Sequence, residues 1–247
     1  MKKRKIMMSV LSAALVGVVA IGGTLAYLSD KSNTVTNTFN VGSGYEEDDD
    51  DHIGLWLDET AKPKDGGNPV DPSKTDRTED GVVYDEMLPG SIVAKDPTFH
   101  LTDGSVNSYV FAFVDGVDAM IEDGYIFAVD KPAALVDPDQ SVFNDEWVKL
   151  PADSEGFDGW YVYKMDAAGE TEAEMYGVNG GEEMVPMFQY VKLGSDLENA
   201  EFDAVAEMSQ LTIFGVAVQT ANLTMDEALT EAGRVIDEAA GVAPIEG

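Results

Sequence analysis

Ser108-Tyr109-Val110-Phe111-Ala112-Phe113-Val114 decides the fold class of this chain. Successive strand residues point to opposite faces, so Val110, Ala112 and Val114 share one face and Tyr109, Phe111 and Phe113 the other. Both faces are apolar, so the segment is expected to be central in a sheet, or covered on both sides. Working outward, Gly124–Val129, Glu146–Leu150, Trp160–Met165, Met187–Lys192 and Gln210–Gln219 read as further strands, and Ile53–Leu57 as a short one. Clusters of Asp, Gly, Asn and Pro separate them. Many short strands with turn signals between them predict a mainly β chain built as a sandwich.

One long helix is expected at 224–240. Thr224-Met225-Asp226-Glu227 is a capping box, in which the threonine oxygen and the glutamate side chain each take an orphan N–H. Met225, Ala228, Leu229, Ala232, Val235, Ile236 and Ala239 follow at helical spacing, and Gly241 suits the end. The stripe is expected to dock on the sheets, because Arg234 is the helix's only base and membrane-surface helices carry basic polar faces. Residues 117–122 read as a shorter helix.

Composition narrows the chemistry. The 247 residues include 47 acidic and 15 basic ones, for a net charge of −32. Such a polyanion repels phosphates, which argues against nucleic acid and against unaided binding to anionic lipid. Hydrophobic residues make up 44%, enough for a real core. The chain has no cysteine, which removes disulfides, thiol catalysis and cysteine-ligated metals.

The first residues carry an export address. Lys2, Lys3, Arg4 and Lys5 precede an uncharged run from Ile6 to Leu28, the order of a secretory signal. The run is long enough to span a bilayer, so an uncleaved anchor is the alternative. Gly22, Gly23, Thr24 and Ala26 weaken its far end, and Thr24 and Ala26 place small residues at −3 and −1 of a cut between Ala26 and Tyr27. The expected organisation is a signal peptide at 1–26 and a strand-prone segment at 27–45. An acidic, Pro/Gly-rich loop region follows at 46–82, then a β body at 83–247.

Gly23-Thr24-Leu25-Ala26-Tyr27-Leu28-Ser29-Asp30, followed by Asn37-Thr38-Phe39-Asn40-Val41-Gly42, resembles the processing segment of SipW-dependent secreted surface proteins of Gram-positive bacteria, the TasA/camelysin-like family. Leu88-Pro89-Gly90-Ser91 with Lys95-Asp96-Pro97, Ser108–Phe111, Gly159–Tyr163 and Leu211–Ile213 with Ala217–Gln219 are looser echoes. The resemblance implies a jelly-roll sandwich, cutting by a SipW-type signal peptidase, membrane contact only during export, and a place outside the cell or on its surface. It also implies fibres in which the mature N-terminal segment adds as a strand to the next subunit. Val35, Phe39 and Val41, on alternating positions, would be the side chains of that donor strand.

Catalysis finds little support. The camelysin branch is classed with metallopeptidases, but His-Glu-x-x-His is missing, and His52 and His100 stand alone. His100, between Phe99 and Leu101, reads as a strand residue with its polar edge satisfied. No Gly-x-Ser-x-Gly elbow or phosphate-binding glycine motif occurs. Trp56, Trp147 and Trp160 read mainly as core residues. Calcium is the more credible ligand, since extracellular sites can be weak, with Kd of about 10⁻⁴–10⁻³ M. Its candidates are Asp48, Asp49, Asp50 and Asp51, and Asp76, Glu79 and Asp80. Solvated acidic loops account for the same residues. The expected function is therefore a non-enzymatic structural protein of the cell surface or biofilm matrix, with itself and other matrix proteins as partners. The alternatives are a calcium-dependent adhesin and, more remotely, a camelysin-type metalloprotease.

Overall fold

The computed structural model describes residues 29–31, 54–84, 87–131, 140–195 and 211–239. In chain order the elements are β1 (Ser29–Lys31), β2 (Leu55–Thr60), β3 (Arg77–Thr78), β4 (Ile92–Ala94), β5 (Thr98–Leu101) and β6 (Ser108–Asp115). Then come α1 (Val117–Glu122), β7 (Tyr125–Ala128), β8 (Trp147–Leu150), β9 (Gly159–Tyr163), α2 (Glu172–Tyr176) and β10 (Gly177–Val178). The chain closes with β11 (Tyr190–Leu193), β12 (Thr212–Gln219) and α3 (Met225–Ala239). The protein is mainly β, and among the described residues every strand pairing is antiparallel.

β6 is central, as its two apolar faces require. The main sheet runs β1-β12-β6-β9-β8, with β10 also on β6. β6 and β12 pair along their full length, from Ser108 opposite Gln219 to Asp115 opposite Thr212. Val110, Ala112 and Val114 enter the larger core with Leu55, Leu57, Phe99, Leu101, Trp147 and Phe188. Tyr109 and Phe111 join Val162, Val216 and Val218 on the other face, beneath Ala228 and Ala232 of α3. Two small sheets, β4-β11-β7 and β3-β2-β5, hold the other described strands.

The central pair needs one glycine. A Cβ on Gly215 would lie 2.4 Å from a ring carbon of Phe99 and 3.1 Å from Leu55. Phe99 is itself fully buried and has nowhere to retreat. Gly215→Ala is therefore expected to cost about 1–3 kcal/mol of overpacking, or roughly 2–12 °C of melting temperature by calorimetry. An unchanged melting point would contradict this packing.

α3 starts as expected. The Thr224 N–H donates to Glu227 (2.9 Å), and the Glu227 N–H donates to the Thr224 hydroxyl (3.3 Å). The Thr224 backbone and hydroxyl bonds hold the Glu227 carboxyl below its usual range. α1 falls on the expected residues. α2 is not among the expected elements, yet Thr171 and Glu174 form a second capping box. Glu172 of α2 accepts the Met225 N–H at 3.0 Å, tying the two helices together. The 46–82 region supplies two strands to the folded body, β2 and β3. Leu55 and Leu57 are in the main core.

Candidate functional site

Two features stand out: the edge where β1 lies and a buried ionic cluster under the 61–82 loop. At the edge, Ser29, Asp30 and Lys31 pair with Val218, Ala217 and Val216 of β12. The strand-prone N-terminal segment thus begins by completing the sheet of its own chain. The opposite edge, β8, carries edge-blocking features. Lys149 donates to the carbonyls of Glu155 (3.0 Å) and Gly156 (2.5 Å), and Pro151 follows Leu150. The cut between Ala26 and Tyr27, the donor residues Val35, Phe39 and Val41, and Asp48, Asp49, Asp50 and Asp51 lie outside the described residues, as does His52.

The second calcium candidate is described. Asp76 is exposed and pairs with exposed Lys64 at 3.2 Å. Glu79 and Asp80 are exposed too, and the Asp80 N–H donates to the Thr78 hydroxyl in a turn. Among the described residues, no three His, Asp or Glu side chains are placed to hold a metal ion.

The ionic cluster has no counterpart among the residues singled out for chemistry. It grows from β2, where Asp58 and Glu59 follow the apolar run and are both buried. Arg77 of β3 reaches Asp58 at 2.5 Å and Asp96 at 2.5 Å. Asp96 also accepts the Thr60 N–H at 2.7 Å. Lys95 pairs with Glu59, whose other oxygen accepts the Val82 N–H at 3.0 Å. His100 of β5 bonds Asp58 through Nε2 at 2.9 Å, and Trp56 stacks on its ring at 3.9 Å. The polar edge expected for His100 is satisfied. The Lys95-Asp96-Pro97 stretch, noted above only as an echo, anchors both ends of the 61–82 loop.

The electrostatics follow from these contacts. Burial works to raise the Asp58 carboxyl, but the His100 and Arg77 hydrogen bonds outweigh it and hold the group below its ordinary value. That stability is present above the unfolded carboxylate range and is lost only as pH falls through the lower folded value. Burial pushes the Tyr84 phenol well up, helped by the charges of Glu59 and Asp96. These contacts tie β2 and β3 to the Lys95–His100 stretch, and His100 also lies 3.8 Å from Glu183.

A different acidic group has the opposite sign. Asp158 is raised by burial first, and then by the charges of Asp118 and Asp115. A carboxyl with a raised folded value weakens the fold at neutral pH and ceases to do so once protonated. Asp158→Asn keeps an acceptor for the Asp118 N–H that now reaches Asp158 at 3.2 Å. Its melting temperature should exceed the parent's at pH 7 and converge with it near pH 3. A lower value at pH 7 would show that the charge is stabilising.

Of the three tryptophans, Trp147 is in the core and donates to the Val185 carbonyl at 2.8 Å, while Trp56 and Trp160 are half-buried. A shallow depression of about 530 Å³ is lined by Asn107, Asp166, Glu170, Glu174 and Asn179. Glu174 there is already committed to the α2 cap, accepting from the Glu170 and Thr171 N–H groups. Among the described residues, no helix is long and apolar enough to cross a membrane. Comparison with family models, curated proteins and solved structures returned no match. The TasA/camelysin resemblance therefore rests on the quoted segments alone.

Proposed function

We propose that this is an exported, non-enzymatic structural protein of the cell surface or extracellular matrix. Its N-terminal segment adds as a strand to a neighbouring copy, giving fibres. The observation that carries the reading is the position of β1: an edge strand of three residues beside β12. The 23 residues from 32 to 54 link it to β2, a length that can span at most about 80 Å. A short edge strand on a long tether can be exchanged between copies with no change in its pairing, which is the basis of strand addition and domain swapping. The body would be a jelly-roll-like sandwich. A SipW-type peptidase would release it after Ala26, and calcium would serve only to screen its charge.

A direct test uses a labelled peptide of residues 27–41 and a chain starting at Gly42. Saturable binding by fluorescence anisotropy is expected. No binding, while the truncated chain keeps its β circular dichroism, would overturn strand addition.

A further inference from the structure

Asn179-Gly180 is the one Asn-Gly pair in the chain, and the fold holds it in a reactive setting. β10 ends at Val178, and the chain turns at Gly180 and Gly181 to run back beside β5. In that turn the Gly181 N–H donates to the Leu101 carbonyl at 2.7 Å, and the Glu182 N–H donates to the Asn179 carbonyl at 3.2 Å. Among the described residues, the Gly180 N–H has no hydrogen-bond partner. The packing requires glycine at this position. A Cβ on Gly180 would lie 2.6 Å from the Ser105 carbonyl oxygen, 2.7 Å from the Ser105 nitrogen and 2.9 Å from the Thr102 carbonyl oxygen. The residue after Asn179 therefore carries no side chain to shield its nitrogen.

Asn179 is exposed and lines the shallow depression described above, so water reaches its side chain. Its Oδ1 accepts from Asn107 Nδ2 at 3.0 Å. Thr220 sets which way the Asn107 amide faces, its hydroxyl donating to Asn107 Oδ1 at 2.7 Å. The Asn107 donor thus sits where negative charge gathers when a nucleophile adds to the Asn179 amide carbon. The nearest nucleophile is the Gly180 nitrogen. Its attack closes a five-membered ring within the chain, so no second molecule has to be positioned.

We propose that Asn179 is a self-modifying site, converted through a succinimide to aspartate and isoaspartate, with the Asn107 amide as the donor that speeds ring closure. The Gly180 nitrogen loses its proton to solvent base and bonds to Asn179 Cγ. The Cγ–Nδ2 bond breaks, and the nitrogen takes up a proton and leaves as ammonia. Water then opens the ring. Cleavage between Cγ and the Gly180 nitrogen gives aspartate, and cleavage between the Asn179 main-chain carbonyl carbon and that nitrogen gives isoaspartate. Either product adds a negative charge to a depression already lined by Asp166 and Glu170. Isoaspartate also lengthens the backbone by one carbon, just before the Gly181 and Glu182 bonds to Leu101 of β5. The inference concerns the body alone and does not depend on how copies assemble.

The test incubates the folded full chain in ¹⁸O-labelled water at mildly alkaline pH and maps its peptides by mass spectrometry. Asn179 should convert ahead of the exposed Asn222, giving both aspartate and isoaspartate with one ¹⁸O each. An Asn179 that stays intact, that converts after Asn222, or that gives aspartate without isoaspartate would overturn the proposal. This measurement needs no variant. A second one isolates the donor. Asn107→Asp keeps an acceptor for the Thr220 hydroxyl and removes the N–H aimed at Asn179. Conversion in the folded variant should be about tenfold slower than in the parent, the weight of one hydrogen bond strengthened in the transition state. In urea the two proteins should convert at the same rate. Equal or faster conversion in the folded variant would overturn the role given to Asn107.

Discussion

Lys95→Met should lower the melting temperature by about 6–20 °C. The reason is the state it leaves behind. Glu59 is fully buried, and Lys95 is the charge that balances it. Removing one partner of a buried pair strands the other and costs roughly 3–5 kcal/mol, which corresponds to that drop for a domain of this size. The double variant Lys95→Met with Glu59→Gln separates charge from packing. Glutamine keeps an oxygen for the Val82 N–H and carries no charge, so most of the loss should return. If the double variant melts as low as the single one, the loss comes from packing, and the ionic account of the cluster fails. Hydrogen exchange adds a location: in Lys95→Met, protection should fall first at Val82, where the 61–82 loop rejoins the body.

Much of the β architecture was legible because it is written locally. The two apolar faces of Ser108–Val114 predict a covered central strand, and β6 is covered by the core on one side and by α3 on the other. The Thr224–Glu227 box and the apolar stripe after it locate α3 to within a residue at each end. α2 carries the same kind of box at Thr171–Glu174, but its five residues are too few to show a periodic stripe. β4 and β5 are short and owe their pairing to distant strands, β11 and β2. The ionic cluster was least legible. Glu59 meets Lys95 across 36 residues and His100 meets Asp58 across 42. No local spacing encodes such contacts, so Asp58 and Glu59 read as ordinary charges after an apolar run. Lys95-Asp96-Pro97 stood out in the sequence only as a family echo, and nothing in its spacing pointed to Glu59 or Thr60.

Deleting the N-terminal segment should have the largest functional effect, and it should be all or none. Strand addition supplies main-chain hydrogen bonds along an edge that β12 otherwise presents to solvent. A body lacking the segment has no strand to give, although it keeps both small sheets and the core. Deletion should leave the fold recognisable while abolishing growth, because β1 contributes three residues to a sheet whose centre is β6 and β12. The strong negative charge sets the conditions. Copies of a chain at −32 repel one another at low salt, so growth should be faster at about 0.15 M salt or at mildly acidic pH, where that repulsion is reduced.

The measurement that bears most directly on the account is electron microscopy of two purified proteins, one starting at Tyr27 and one at Gly42, each incubated with and without calcium and at neutral and mildly acidic pH. Fibres from the Tyr27 protein and none from the Gly42 protein, under at least one shared condition, are the predicted result. Fibres from both, or from neither under any condition, would contradict assembly by the N-terminal strand.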